Sequence, residues 1–393
     1  MKPRLIAHLL ALSLAFGLSA CGKKEGAEPK ATDGVIIKIG SVAPLTGPQA
    51  HLGKDNENGT RMAIDDANAK GIEIGGKKVK FELISEDDQA DPKTATIVAQ
   101  KLVDAKVNGV IGHLNSGTTI PASRLYHDAG IVEISPSATN PKYTEQGFKS
   151  AFRVMTNDVQ QGKVLGEYSV KQLGAKTIAI IDDRTAYGQG LADQFEKAAK
   201  AAGGVIVARE FTTDKSTDFM AILTAVKSKN PDLLFYGGMD AQGGPMIKQL
   251  KTLGLNAKFL TGDGGSTPEF IKLSGGAAEG AYSSLPGVPL DKMPGGKAFA
   301  DRFTAKYGQI QLYAPYCYDA VNVMIAAMQK AGSAEPAKYM PELAKITYDG
   351  VTAKISFDEK GDIKGGAVTL YKVKNGKWEV LETVTAAASP EAK

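Results

Sequence analysis

Cysteine is nearly absent from this chain of 393 residues: there are two, Cys21 and Cys317. Two thiols cannot build the disulfide framework of a small secreted fold or a four-thiolate zinc site. Histidine is almost as scarce, at positions 8, 51, 113 and 127. No two of these stand at the H-x-x-x-H spacing that puts a pair of imidazoles on one helix face, so a metal site has no local signature. An excess of one charge is missing too. The 47 basic and 43 acidic side chains give a formal +4, which falls to +2 once Lys2 and Arg4 leave with a leader. Nucleic acid needs a clustered basic face, and so near a balance argues against that partner.

Motifs of catalysis are also lacking. Gly71 to Lys78 (GIEIGGKK) approaches a phosphate loop but puts Lys78 where Ser or Thr is required, behind a helix rather than a strand. Tyr187-Gly188-Gln189-Gly190 lacks the third glycine of a dinucleotide fingerprint. No G-x-S-x-G elbow or S-x-x-K pair occurs. Glu86-Asp87-Asp88 reads as a solvated acidic loop. The chain is therefore expected not to be an enzyme, and to need no cofactor or metal.

Long apolar runs are confined to the front. Lys2 and Arg4 precede an apolar stretch from Leu5 and then small residues, the pattern of an export signal. The stretch is too short and wrongly flanked for a membrane span. Leu18-Ser19-Ala20-Cys21 has the form of a bacterial lipobox. The expectation is a signal peptide over residues 1–20 and lipid on Cys21, followed by a flexible polar tether over 21–34. Two or more acyl chains anchor a protein stably. Simple cleavage after Ala20 would instead release it soluble.

The remainder, 43% hydrophobic and 23% charged overall, is long enough for two domains. Apolar strand runs alternate with amphipathic helices: a strand from Val35, a helix over Asn58–Ala69, a strand at Val79–Ser85. Asp91-Pro92 then starts a helix running to Asp104, with Asp as cap and Pro in the first turn. The pattern restarts after Arg153 and turns β-rich near the end. Such alternation predicts doubly wound parallel sheets.

One stretch stands out. Val107 to Gly112 reads as a buried strand and releases the polar turn Leu114-Asn115-Ser116-Gly117-Thr118-Thr119, behind which helical spacing resumes. Ile131 to Ser135 is a second strand, ending in Ser137-Ala138-Thr139-Asn140-Pro141. In open α/β sheets ligands lie beyond the carboxyl ends of strands, and a helix N-terminus favours an anion. Either turn alone could be an ordinary cap; two side by side point to an anion site. Asp263, in Thr261-Gly262-Asp263-Gly264-Gly265, sits just past a later strand and could meet a cation, although aspartate before glycine is also a common turn.

The string G-H-L-x-S-x-x-T-x-P-A-S, followed by G-I-x-x-I-S-P-x-A-T-x-P, resembles the periplasmic leucine/isoleucine/valine-binding proteins of ABC importers. The resemblance runs from about Val35 to the strand at Val368–Val373. It implies a type I periplasmic-binding fold, α/β, with two doubly wound parallel-sheet lobes joined by three crossovers near Thr156, Pro286 and Ala367. Lobe 1 would comprise residues 35–156 and 287–367; lobe 2, the closing lobe, 157–286 and 368–385. The same resemblance implies that the hydroxyls of Ser116 and Thr139, with backbone N–H groups, hold a ligand carboxylate. The Ser137 carbonyl and the Asp263 carboxylate would take its ammonium, and Tyr187 would close over it. Leu114, Gly117, Ala138 and Tyr313 complete the expected contacts. Leu52 and Met239 stand where the family is commonly aromatic, which predicts a roomier pocket. Ala90 and Asn115 stand where many members carry a disulfide, so that staple is absent, and Cys317 is expected to be a plain core residue.

The function so implied is that of the substrate-binding component of an importer. It would capture a neutral aliphatic amino acid of the leucine/isoleucine/valine class in the periplasm or cell envelope. It would act as a monomer, touching the membrane only through its lipid and delivering to an ABC permease in the inner membrane. Another neutral amino acid such as phenylalanine or methionine, an amine-free carboxylate or amide, and a periplasmic sensor role remain open alternatives.

Overall fold

The computed structural model describes residues 34–385. The expected signal peptide, the lipidation expected at Cys21 and the expected tether up to residue 33 lie outside the described residues. The first sheet is built from β1 (Val35–Ala43), β2 (Glu73–Ile74), β3 (Lys77–Asp87), β4 (Gly109–Ile111), β5 (Glu133–Ser135) and β6 (Ala151–Arg153). Their order is β2-β3-β1-β4-β5-β6, parallel except for the β2–β3 hairpin. Helices α1 (Ala50–Lys70), α2 (Pro92–Asp104), α3 (Ser116–Asp128) and the short α4 (Lys142–Glu145) connect them. The α1 helix begins eight residues before the point where its periodicity becomes legible, because the buried positions of its first two turns include the polar Asp55 and Asn56 and the side-chain-free Gly53 beside a single apolar Leu52. At α2 the cap is as expected: the Asp91 carboxylate accepts from Thr94 N at 2.8 Å with Pro92 in the first turn, an arrangement worth about 1 kcal/mol.

The second sheet runs β15-β14-β11-β10-β9-β7-β8. It is made of β7 (Thr177–Asp182), β8 (Val205–Phe211), β9 (Leu233–Gly237), β10 (Lys258–Thr261) and β11 (Tyr282–Pro286). These are connected by α5 (Asp158–Lys171), α6 (Ala186–Ala201), α7 (Met220–Lys227), α8 (Asp240–Thr252) and α9 (Pro268–Leu273). Strand alternation divides its core. Ile178 and Ile180 of β7, with Leu233 and Phe235 of β9, pack on the side of α5 and α6. Ala179, Ile181, Leu234 and Tyr236 pack on the side of α7 to α9.

From β11 the chain returns to the first sheet with α10 (Gly296–Tyr307), α11 (Ala314–Ala331) and α12 (Pro336–Ala344), then a small ladder of β12 (Tyr348–Asp349) and β13 (Lys354–Ile355). It crosses back to end in β14 (Ala367–Lys374) and β15 (Lys377–Thr385), an antiparallel pair on the edge beside β11. Three crossovers therefore join two sheet-centred lobes. The backbone of α11 lies close on α1: a Cβ on Gly59 would stand 2.3 Å from the Ala314 carbonyl oxygen, so only glycine fits. Cys317 is fully buried in α11, packed in the core.

One sequence expectation is corrected here, and one element hidden in the sequence is found. Glu86-Asp87-Asp88 is no solvated loop. Glu86 and Asp87 end β3, and Asp87 accepts from Leu45 N at 2.8 Å and from the Thr46 hydroxyl. Asp88 is fully buried and meets His113 Nδ1 at 2.9 Å. The Pro/Gly stretch after Leu285 also conceals the end of a central strand, β11, whose hydroxyl-bearing Ser283 and Ser284 mask its apolar pattern.

Candidate functional site

The carboxyl ends of the parallel strands of both sheets face one cleft, where strand-end turns collect polar groups. On the first lobe, α3 begins directly at Ser116, with the Asn115 carbonyl accepting from Thr118 N and Thr119 N at 3.1 and 2.9 Å. The N–H groups of Ser116 and Gly117 have no acceptor within a helix that starts there. The two turns are stitched together. Ser137 Oγ donates to the Leu114 carbonyl at 3.1 Å, Ser135 Oγ to the His113 carbonyl at 3.1 Å, and Asn140 N to Ser116 Oγ at 3.2 Å. Thr139 is fully buried, and its hydroxyl has no partner.

Behind the second turn stands Arg153, fully buried and unmarked by any sequence motif. Its guanidinium donates to the carbonyls of Ala138 (2.6 Å) and Asn140 (3.0 Å), to the Thr144 hydroxyl, and to Asp362 at 2.9 and 2.7 Å. A rigid five-donor fork is the group that can hold two carbonyls and a carboxylate at once. Asn115 Nδ2 donates to Gln49 Oε1 at 2.7 Å.

The second lobe contributes Asp263, in a 3₁₀ turn directly after β10 and 1% exposed. Its carboxylate accepts from Gln161 Nε2 (2.8 Å) and Tyr187 OH (2.8 Å) on one oxygen, and from Tyr313 OH (2.6 Å) on the other. Tyr313 comes from the first lobe, so this last bond crosses the cleft. So do Asn140 Nδ2 to the Ala186 carbonyl (2.5 Å) and His51 to Asp240 (2.7 Å). The lobes are closed upon each other. Tyr313 is held in turn by Asp55 of α1, whose buried carboxylate accepts from the N–H groups of Gln311, Leu312, Tyr313 and Ala314 at 2.8–3.0 Å. That ties the start of α11 to the cleft wall, a carboxylate at a helix N-terminus. A Cβ on Gly264 would press on Met239 Sδ at 2.7 Å and Tyr187 at 2.9 Å, which is why glycine follows Asp263.

Burial pushes the Asp263 carboxyl above the ordinary carboxylate range, against the pull of the Tyr313 and Tyr187 hydroxyls. A second buried carboxyl, Asp158 at the start of α5, has no hydrogen-bond partner on either oxygen. Burial first, and the Asp263 charge second, push it up to about 8. Neither Asp158 nor Gln161 was anticipated from sequence. Both lie in the first turn of α5, where capping alone explains an acidic residue.

Between the lobes lies a void of about 10 Å³, room for about one water molecule, lined by Leu114, Asn115, Ser116, Ser137, Tyr187, Met239, Asp263 and Tyr313. Anything larger than water enters this lining only as the lobes move apart. Seven of the eleven residues expected at the ligand come together on this lining. Leu52, Gly117, Ala138 and Thr139 are not part of it, and Leu52 is instead fully buried in the core. Roomier grooves, such as the one between α5 and β15, are open to water and edged by Lys163, Lys171 and Glu167.

Residues 36–377 match the family model described as periplasmic binding protein. The chain belongs to that family. Among curated relatives, a Leu/Ile/Val-binding protein homolog of Brucella abortus is 37% identical over 93% of this chain and 95% of its own. A leucine-, isoleucine-, valine-, threonine-, and alanine-binding protein of Pseudomonas aeruginosa is 35% identical over 86% of this chain and 89% of its own. Among solved structures, a leucine-binding protein from Thermotoga maritima superposes with a TM-score of 0.83 at 28% identity, covering 88% of this chain and 98% of that one. A branched-chain amino acid transporter substrate-binding protein from Streptococcus pneumoniae, in complex with isoleucine, gives 0.81 at 29%, covering 89% and 100%. The resemblance read on the string from Gly112 to Pro141 thus holds over residues 36–377, and the type I bilobed fold it implied is the fold observed. No helix among the described residues of this family member is long and apolar enough to cross a membrane.

Proposed function

We propose that this chain is the substrate-binding component of an ABC importer that captures a neutral aliphatic amino acid of the leucine/isoleucine/valine class. Its lobes close on the ligand and present it to a permease in the inner membrane. The protein works as a monomer in the periplasm or cell envelope, held to the membrane through lipid on Cys21, and performs no covalent chemistry. One observation carries the reading: the two ends of the same small cavity have opposite polarity. Unpaired helix-start N–H groups and the Ser116 hydroxyl suit a carboxylate, while Asp263, across the cleft, suits an ammonium. A zwitterion spans the two. The apolar lining from Leu114, Met239 and the tyrosine rings suits an uncharged side chain, and the leucine- and isoleucine-binding relatives support the class.

Closure is the functional step. Binding energy shifts an open–closed equilibrium, because the contacts of the ligand with both lobes exist only when they meet. The test is calorimetry of residues 22–393 against leucine, isoleucine, valine, phenylalanine, methionine and the amine-free analogue 4-methyl-2-oxopentanoate. A branched-chain amino acid should bind tightest. At a hundred times its Kd it should add about 2.7 kcal/mol of stability in thermal unfolding. Binding of the oxo acid with no response to any amino acid would overturn the reading.

A further inference from the structure

The cleft wall carries a cross-lobe contact that ligand recognition does not explain. His51 lies in the first turn of α1, one residue before Leu52, and Asp240 opens α8, one residue after Met239. Their side chains meet between the lobes, Nε2 to Oδ2, at 2.7 Å. The Asp240 side chain is wholly buried, whereas the His51 ring keeps 22% of its surface in water. The same Oδ2 accepts the Thr267 hydroxyl at 2.6 Å, and Oδ1 has no partner. A buried carboxylate so poorly satisfied is costly unless a cation reaches it, and among the described residues His51 is the basic group within ion-pair distance. The charges that act most on His51 are acidic: Asp240 from α8, Glu269 from α9, and Asp55 one turn along α1; the basic Lys54, three residues along the same helix, pairs with Glu57.

We propose that His51 and Asp240 are a proton-dependent closure pair. Charged His51 bridges to Asp240 only when the lobes meet, and so holds the neighbouring Met239 in place on the cavity lining. Proton supply then sets how firmly the closed form retains its ligand. This rests on the lobes closing, not on which ligand they close over. The sign follows from two opposed effects. Burial of the ring disfavours its charge, but the hydrogen bond and charge of Asp240 outweigh that and raise His51 above its ordinary value. In the open cleft the ring faces water and titrates near 6.5. Closing therefore takes up a proton. The latch is at full strength below about pH 6.5 and weakens as pH rises through the raised value. A neutral ring can still donate one N–H, so part of the contact persists.

The experiment pairs wild type with His51→Gln, which keeps a donor at the same reach but cannot charge. Leucine affinity of each is measured by calorimetry at pH 6 and pH 8.5, and the wild-type-to-variant ratio cancels every other titrating group. That ratio should be about fivefold larger at pH 6, the worth of a partly exposed ion pair. His51 is also followed by NMR titration: it should titrate above 6.5 in leucine-saturated protein, lie closer to 6.5 in ligand-free protein, and return to the ordinary value in leucine-saturated Asp240→Asn. An equal ratio at both pH values, or His51 titrating at or below 6.5 in leucine-saturated protein, overturns the latch. If leucine binds at neither pH, the functional proposal fails, and the same two readouts with whichever ligand of the calorimetric panel does bind decide the latch.

Discussion

Asp263→Ala removes the one carboxylate on the cavity lining, and its effect can be worked from the contacts. Asp263 is 1% exposed and already accepts three hydrogen bonds, from Gln161, Tyr187 and Tyr313. A carboxylate has about four acceptor sites, so one remains for an ammonium N–H. In the closed cleft that ammonium has left water, and without an anion its burial is uncompensated. Breaking one side of a buried ion pair costs about 3–5 kcal/mol, a loss of roughly two to three and a half powers of ten in affinity. Part of the damage falls on the empty protein, because the amide and two tyrosine hydroxyls lose their acceptor at about 1 kcal/mol each. Thermal unfolding of the ligand-free variant measures that part, and calorimetry with leucine the rest. Asp263→Asn keeps one acceptor oxygen and should lose less. For 4-methyl-2-oxopentanoate the order should reverse: with no cation to meet, removing the charge should leave binding unchanged or improve it. Leucine affinity of folded Asp263→Ala within about threefold of wild type would refute the ammonium assignment.

Asp158 is held protonated up to about pH 8 against an ordinary 3.8, so its contribution to folding stability is complete below about pH 4 and is lost as pH rises through 8. Asp158→Asn, a neutral shape-match, should flatten that slope; thermal midpoints at pH 5 and 8.5 that fall in parallel with wild type would refute it. Arg153→Ala should destabilise the protein by about 3–5 kcal/mol in denaturant unfolding, since it strands Asp362 and two carbonyls of the second turn. A loss under 1 kcal/mol would show that the turn stands without it. Cys21→Ser should move the protein from the membrane fraction to the soluble fraction of its native host, and unchanged retention would exclude the lipid anchor. Solution scattering should show a smaller radius of gyration at saturating leucine than without ligand, and identical curves would exclude closure.

The elements that sequence determined are those governed by neighbours along the chain. The strand from Val35, the strand over Val79–Ser85 and the helix ending at Asp104 stand within two residues of where their apolar periodicity places them, because that periodicity is local. So does the Asp91-Pro92 start of α2. The two hydroxyl-rich turns were legible as a pair because each directly follows a strand, and strand ends of a parallel sheet lie side by side. What tertiary structure alone decided are the contacts between residues far apart in the chain. Nothing around Arg153 says that it holds Ala138 and Asn140 from behind, nor around Asp55 that it caps a helix more than 250 residues later. Gln161 and Asp158 read as ordinary first-turn residues, and His51 as a lone histidine. Each gains its meaning from a partner brought within 3 Å by lobe closure or helix packing, or, for Asp158, from burial that leaves it with no partner. The energy of a buried polar group is set by whether such a partner arrives, and sequence spacing carries no record of that.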